Sequence, residues 1–147
     1  MLTEKPKLNL KSILNNLPGM VYRCKNDKNW TMEYLSKGAQ KLTGYSVNDI
    51  LKNKKISYEL LIYPADRKIV RETVNNAIND KKAFELEYRI IHKSGIVKWV
   101  LEQGQFLSDS KSKSGNLEGF IMDVTERKKS EEEQHNKNRK ERREVYA

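Results

Sequence analysis

The strongest constraint on the fold is a stretch of alternating side chains that runs from Phe84 to Thr125. Over residues 84–91, apolar and charged side chains alternate with a period of two, which is typical of a half-buried antiparallel strand. A turn at Gly95 separates this strand from a second one, and a polar loop over residues 108–116 leads to a third. Three consecutive strands predict an antiparallel meander, whose apolar face must be covered by the earlier residues.

The faces of two predicted strands decide which side chains reach the core. In the strand after Gly95, we expect Val97, Trp99 and Leu101 on one face and Lys98 and Glu102 on the other. An earlier hairpin is predicted over residues 20–36, and its second strand should place Trp30, Met32 and Tyr34 on one face. We expect the apolar face of each strand to contact the core.

Between this hairpin and Phe84 the pattern changes to the period of helices. Gly44 should end one short helix, and Ser46 is a good N-cap for the next. The longest pattern runs from Asp66 to Ile78. Its shared face carries Ile69, Val70, Thr73, Val74, Ala77 and Ile78.

This order of elements predicts an α+β domain. We expect one five-stranded antiparallel sheet with short helices and one longer helix on one face, plus N- and C-terminal flanking helices. The predicted units are a flanking helix over 1–17, a central domain over 18–124 and a charged helical segment over 125–147 that frays beyond Asn136.

Composition limits the range of partners and compartments. The net charge of +9 is spread along the chain, which favours a solvated lysine-rich surface, and no nucleic-acid partner is expected. No apolar run approaches the roughly 18 residues of a membrane span. The single cysteine, Cys24, cannot form an internal disulfide and suits a reducing compartment, so we expect a cytoplasmic protein.

Several short motifs occur in a specific order over roughly residues 14 to 128. They are Leu17–Arg23, Leu42–Ser46, Pro64–Arg67, Glu87–Arg89, Lys93–Gly95, Trp99 and Glu118–Arg127. In order and spacing, these motifs resemble PAS sensory domains with their C-terminal PAC motif. The resemblance implies a five-stranded antiparallel sheet that cradles short helices, in agreement with the pattern of alternation.

The resemblance also implies a sensory or dimerisation module of a signalling protein such as a sensor histidine kinase or a diguanylate cyclase. Asp123, Val124 and Thr125 match the motif that couples the sheet to an outgoing helix in such domains. Thr125 is expected to cap that helix, and Asp123 to accept hydrogen bonds or pair with a cation, although both residues could simply end the strand and start the helix. We expect a homodimer and an output domain outside this chain, which would then be a piece of a longer protein.

The candidate pocket lies between the sheet and the long helix. Its predicted lining consists of Tyr22, Tyr34, Leu42, Ile69, Thr73, Tyr88 and Trp99, although ordinary core packing is the favoured explanation of these residues. Compared with family members that bind flavin or haem, residues 58–63 lack a cysteine and residues 66–78 lack a histidine. A flavin adduct and haem are therefore not expected, while a small-molecule ligand remains open.

No catalytic signature is present, so we expect no enzymatic activity. His92 and His135 lack neighbours at metal-ligand spacing, and no metal site is expected. The alternative function is nucleic-acid binding through the basic residues 137–143. A catalytic role for Cys24 is the third and weakest hypothesis.

Overall fold

The computed structural model describes residues 8–108 and 115–146. Its centre is one antiparallel sheet with the strand order β2-β1-β5-β4-β3. The strands are β1 (Met20–Lys25), β2 (Met32–Leu35), β3 (Phe84–Ile91), β4 (Val97–Leu107) and β5 (Asn116–Asp123). The predicted α+β fold with five antiparallel strands is confirmed.

In the described residues, six α-helices and two short 3-10 helices (Leu51–Asn53 and Pro64–Asp66) accompany the sheet. The α-helices are α1 (Leu10–Asn16), α2 (Gly38–Thr43), α3 (Val47–Ile50), α4 (Tyr58–Leu61), α5 (Arg67–Asn79) and α6 (Thr125–Tyr146). Gly44 ends α2 with a φ of 82°, and the Ser46 side chain accepts a hydrogen bond from the Asp49 N–H at the start of α3. Both caps agree with the sequence prediction. Helix α6 continues to Tyr146, which lies beyond Asn136, where the sequence predicted that the helix would begin to fray.

The core lies between the sheet and the helices of its inner face. Helix α5 contacts it through a narrow stripe in which Val70 and Val74 are buried. Ile69, which the helical pattern placed on the same face, is 54% exposed because it lies about 100° around the helix from Val70.

The side chains of β4 divide between two faces as predicted, but the face that contacts the core is the one opposite to that expected. Pairing of Tyr88 with Val100 and of Leu86 with Glu102 puts Val100 and Glu102 on the inner face, where both are buried. Trp99 lies on the opposite face and is half-buried beneath cationic side chains. Apolar residues on both faces of β4 made its alternation ambiguous.

A β-bulge changes the register of β2. Tyr22 pairs with Leu35 and Arg23 with Tyr34, but Cys24 pairs with Met32, so Glu33 is the extra residue. The bulge keeps Met32 in the core and turns Tyr34 outward, where it is 39% exposed. The expectation that Tyr34 shares a face with Met32 is therefore wrong.

Candidate functional site

A buried carboxyl group stands at the centre of the inner face. Glu102 on β4 is only 6% exposed, and the hydroxyl groups of Tyr22 and Tyr88 each donate a hydrogen bond to one of its oxygens. The Tyr88 bond measures 2.6 Å, and the Tyr58 hydroxyl lies 2.6 Å from that of Tyr88. Strands β1, β3 and β4 and helix α4 thus meet at one polar cluster, which we call the Glu102 cluster.

Two glycines make room for this cluster. Gly104 on β4 pairs with Gly119 on β5, which in turn pairs with Tyr22 on β1. A Cβ atom at Gly104 would lie 2.7 Å from the Tyr22 hydroxyl, and one at Gly119 would lie 3.0 Å from it. The absence of both side chains lets Tyr22 reach Glu102.

Burial dominates the electrostatics of the cluster. Desolvation raises the pKa of Glu102, and the two tyrosine hydroxyls offset part of that rise because they stabilise the carboxylate. Desolvation and the nearby Glu102 charge raise the pKa of Tyr22, Tyr58 and Tyr88 well above the usual value, so these hydroxyls keep their protons. Burial also raises the pKa of the Cys24 thiol, which removes the thiolate needed for nucleophilic chemistry.

A cavity adjoins the Glu102 cluster. Its volume of about 10 Å³ is about enough for one water molecule. Trp30 is part of its wall, and the indole Nε1 is buried with no hydrogen-bond partner among the described residues. Pockets for drug-sized ligands measure about 300–1,000 Å³, so a ligand of that size would require these walls to move.

Only part of the predicted pocket lining reaches this cavity. Tyr22 lines it, and Tyr88 joins the Glu102 cluster beside it. Leu42 is a buried residue of α2 but is not part of the cavity wall. The other predicted lining residues lie elsewhere: Tyr34 and Trp99 on the outer face of the sheet, and Ile69 and Thr73 on the outer part of α5.

The junction between the sheet and α6 forms a second site. The Thr125 hydroxyl accepts a hydrogen bond from the Trp99 N–H at 3.0 Å and lies 3.4 Å from the Trp99 carbonyl oxygen. The Val124 N–H donates to the same carbonyl at 2.8 Å. These contacts join the start of α6 to the backbone of β4.

The helix start is capped differently from the sequence prediction. Asp123 Oδ1 accepts a hydrogen bond from the Thr125 N–H at 2.9 Å, so the carboxylate is the cap while the Thr125 hydroxyl contacts Trp99. Lys98 lies 3.5 Å from the other carboxylate oxygen. Burial raises the pKa of Asp123, but the bonds to Thr125 and Lys98 outweigh it, and the net shift is downward.

Ionic contacts strengthen this junction from the outer face. Glu87 on β3 pairs with Arg127 at 2.5 Å and with Lys128 at 2.9 Å. Lys128 also lies over the Trp99 ring, 4.7 Å from its centroid. Arg89 also lies over the Trp99 ring, 5.4 Å from its centroid, and forms a two-pronged ion pair with Asp66 at the start of α5.

Sequence analysis missed Glu102 and Tyr58 as functional candidates. Glu102 was assigned to the solvent face of β4, and the segment that contains Tyr58 had no clear period. The useful signal was Gly104, because a strand glycine marks a close approach by a neighbouring side chain.

Within residues 8–108 and 115–146, no group of three or more His, Cys, Asp or Glu side chains is arranged to hold a metal ion. In the same ranges, no helix combines the length and the apolar character that a membrane crossing needs.

Comparison with known proteins identifies the family. Residues 32–121 match the PAS fold family. The chain is 31% identical over 124 residues to the methyl sulfide methyltransferase-associated sensor of Methanosarcina acetivorans, and this match covers 84% of the chain and 12% of the sensor. It is 46% identical over 50 residues to a blue-light-activated histidine kinase of Brucella anthropi, covering 34% of the chain and 10% of the kinase.

A solved structure extends this likeness to the fold. The sensory box histidine kinase/response regulator from Burkholderia thailandensis superimposes with a TM-score of 0.68 and 27% identity. That match covers 85% of this chain and 91% of the solved chain. Because the family match spans residues 32–121 and the fold agrees with it, the chain belongs to the PAS fold family, whose domains are typical sensors of signalling proteins.

Proposed function

We propose that this chain is a sensory and dimerisation module that relays a signal from the Glu102 cluster through Asp123, Val124 and Thr125 to α6. The signal then passes to an output domain that is not part of this chain, such as that of a histidine kinase or a diguanylate cyclase. The catalytic activity belongs to that parent protein in this proposal. The buried free thiol of Cys24 supports a cytoplasmic site.

The observation that carries this proposal is the position of Trp99 on β4. Its backbone N–H and carbonyl both contact the start of α6, and Glu102 lies three residues along the same strand. On the neighbouring strand, Glu102 pairs with Ile121, two residues before Asp123. A shift of β4 caused by a change at Glu102 would therefore move the partners of Thr125 directly.

Thr125→Val is expected to loosen this junction. Valine has nearly the same shape as threonine but offers no oxygen to the Trp99 N–H, which costs about 1 kcal/mol and speeds exchange of that amide about fivefold. NMR-detected hydrogen exchange measures the rate. Thr125→Ser keeps the oxygen and should retain the wild-type rate, whereas equal protection in Thr125→Val would exclude this hydrogen bond as the connection.

The dimerisation half of the proposal is supported by an exposed apolar surface. None of the residues of α1 is buried, and Leu10 is 68% exposed. Leu14 borders a groove of about 680 Å³ on the outer face of the sheet, next to Val21 and Tyr34. Exposed apolar side chains of this kind are typical of a protein interface, and a second copy of this chain would cover them.

Leu10→Glu/Leu14→Glu is expected to convert a dimer into a monomer, because two carboxylates would be buried in the α1 interface. Sedimentation velocity measures the mass of both proteins. Leu60→Glu/Ile96→Glu introduces the same charges at exposed apolar positions outside this surface and should leave the dimer intact. A strictly monomeric wild type, or an unchanged dimer in the α1 variant, would contradict the proposal.

A further inference from the structure

A cleft beside the junction is lined by three lysine side chains, more positive charge than the core or the relay requires. It measures about 490 Å³ and lies between the end of α1, helix α2 and the adjoining ends of β4 and β5. Lys37 and Lys41 come from α2 and its N-terminal flank, Lys98 comes from β4, and Asp123 comes from β5. Asp123 is the only acidic residue among the described residues that line it, so the wall carries a net charge of +2.

Two of the three lysines lie at a spacing that makes their charges repel each other. Lys37 and Lys41 are four residues apart, and like charges at this helical spacing repel each other. The Lys98 ammonium lies 3.4 Å from the carbonyl oxygen of Lys41, which brings its charge to the same helix. Its second contact, with Asp123, is also long at 3.5 Å. A bound anion would relieve this repulsion.

We propose that this cleft binds a small organic polyanion that carries phosphate or carboxylate groups. Its volume falls within the range of about 300–1,000 Å³ that is typical of small-molecule sites. Lysine ammonium groups bind phosphate and carboxylate through charge-assisted hydrogen bonds. The side-chain amides of Asn15 and Asn16 add polar groups to the wall beside the lysines.

Binding in this cleft would act on the relay from outside the core. The anion competes with Asp123 for Lys98, and Asp123 caps the first turn of α6 through the Thr125 N–H. The cleft also contains Leu17 and Gly19, which connect α1 to β1. One ligand would therefore contact the end of α1 directly and act on α6 through Asp123, without entering the cavity beside Glu102.

Titration of the full ¹⁵N-labelled chain with pyrophosphate and, separately, with citrate tests this site at constant ionic strength. Saturable shifts concentrated at Lys41, Lys98 and Asp123 are expected with at least one probe. A stronger response to pyrophosphate identifies a phosphorylated ligand, and a stronger response to citrate identifies a carboxylate ligand.

Lys41→Gln/Lys98→Gln is expected to weaken binding at least about tenfold, because it removes two of the charge-assisted contacts. Lys41→Gln alone changes only an exposed helix residue and should still weaken binding if the double variant does not fold. Lys54→Gln/Lys82→Gln removes the same charge at exposed positions outside the cleft and should bind within about twofold of the wild type. Equal weakening in both double variants, shifts spread over all lysines, or no saturable binding would overturn the proposal.

Discussion

The free energy of unfolding of the wild type is expected to fall, relative to that of Glu102→Gln, as the pH rises above about 4.5, the ordinary pKa of this carboxyl. Burial raises the pKa of Glu102 in the folded protein, so the folded state keeps a proton that the unfolded chain has already released. The stabilisation that this proton contributes is fully present below the pKa of Glu102 in the unfolded chain. It is lost as the pH rises through the higher pKa of Glu102 in the folded protein. Glutamine keeps the shape and does not titrate.

Urea unfolding at pH 4.5 and pH 8 measures this difference. We expect it to exceed about 1 kcal/mol, because no cation of the described residues compensates the buried carboxylate. The wild type must be compared with the variant, because other carboxyl groups also make the free energy of unfolding depend on pH. Asp66 and Glu87 have lowered pKa values in the folded protein, so the stabilisation they contribute is lost as the pH falls. Glu85→Gln makes the same change at an exposed position of β3 and should behave as the wild type does. If the free energies of unfolding of wild type and Glu102→Gln change in parallel with pH, burial does not raise the pKa of this carboxyl and the prediction is wrong.

Local sequence patterns predicted the order and type of the elements. The period of two over residues 84–91 and the caps at Gly44 and Ser46 describe short-range geometry, which adjacent residues determine. The motifs from Leu17 to Arg127 then led to the family. These features depend on neighbours in the chain, so one sequence was sufficient for them.

Tertiary contacts decide the features that the sequence did not predict. A bulge at Glu33 turned Tyr34 outward, and no local signal marks the position of that extra residue. Glu102 looks like a surface residue until β1 and β3 bring Tyr22 and Tyr88 to its oxygens. Trp99 looks like core until Lys128 of α6 covers its ring. Each error concerns a residue whose partner is distant in sequence.

The relay predicts that a change confined to Glu102 alters the start of α6. In the wild type, the Trp99, Val124 and Lys128 amides donate hydrogen bonds within the junction, so they are natural reporters. Tyr22 and Tyr88 donate to different oxygens of Glu102, whereas glutamine offers one amide oxygen and one NH2 group. Glu102→Gln therefore weakens one of these hydrogen bonds and removes the other, because the NH2 group cannot accept. Glu102 and Trp99 both belong to β4, so we expect the change in backbone position at Glu102 to extend along the strand to Trp99.

Residue-resolved hydrogen exchange of wild type and Glu102→Gln at pH 8 tests the central claim most directly. We predict a change of at least about threefold in the exchange rates of the three junction amides in Glu102→Gln, with wild-type rates in Glu85→Gln. If instead the change is confined to the neighbours of Tyr22 and Tyr88 while the Trp99, Val124 and Lys128 amides exchange at wild-type rates, the Glu102 cluster and α6 are not coupled and the relay is contradicted.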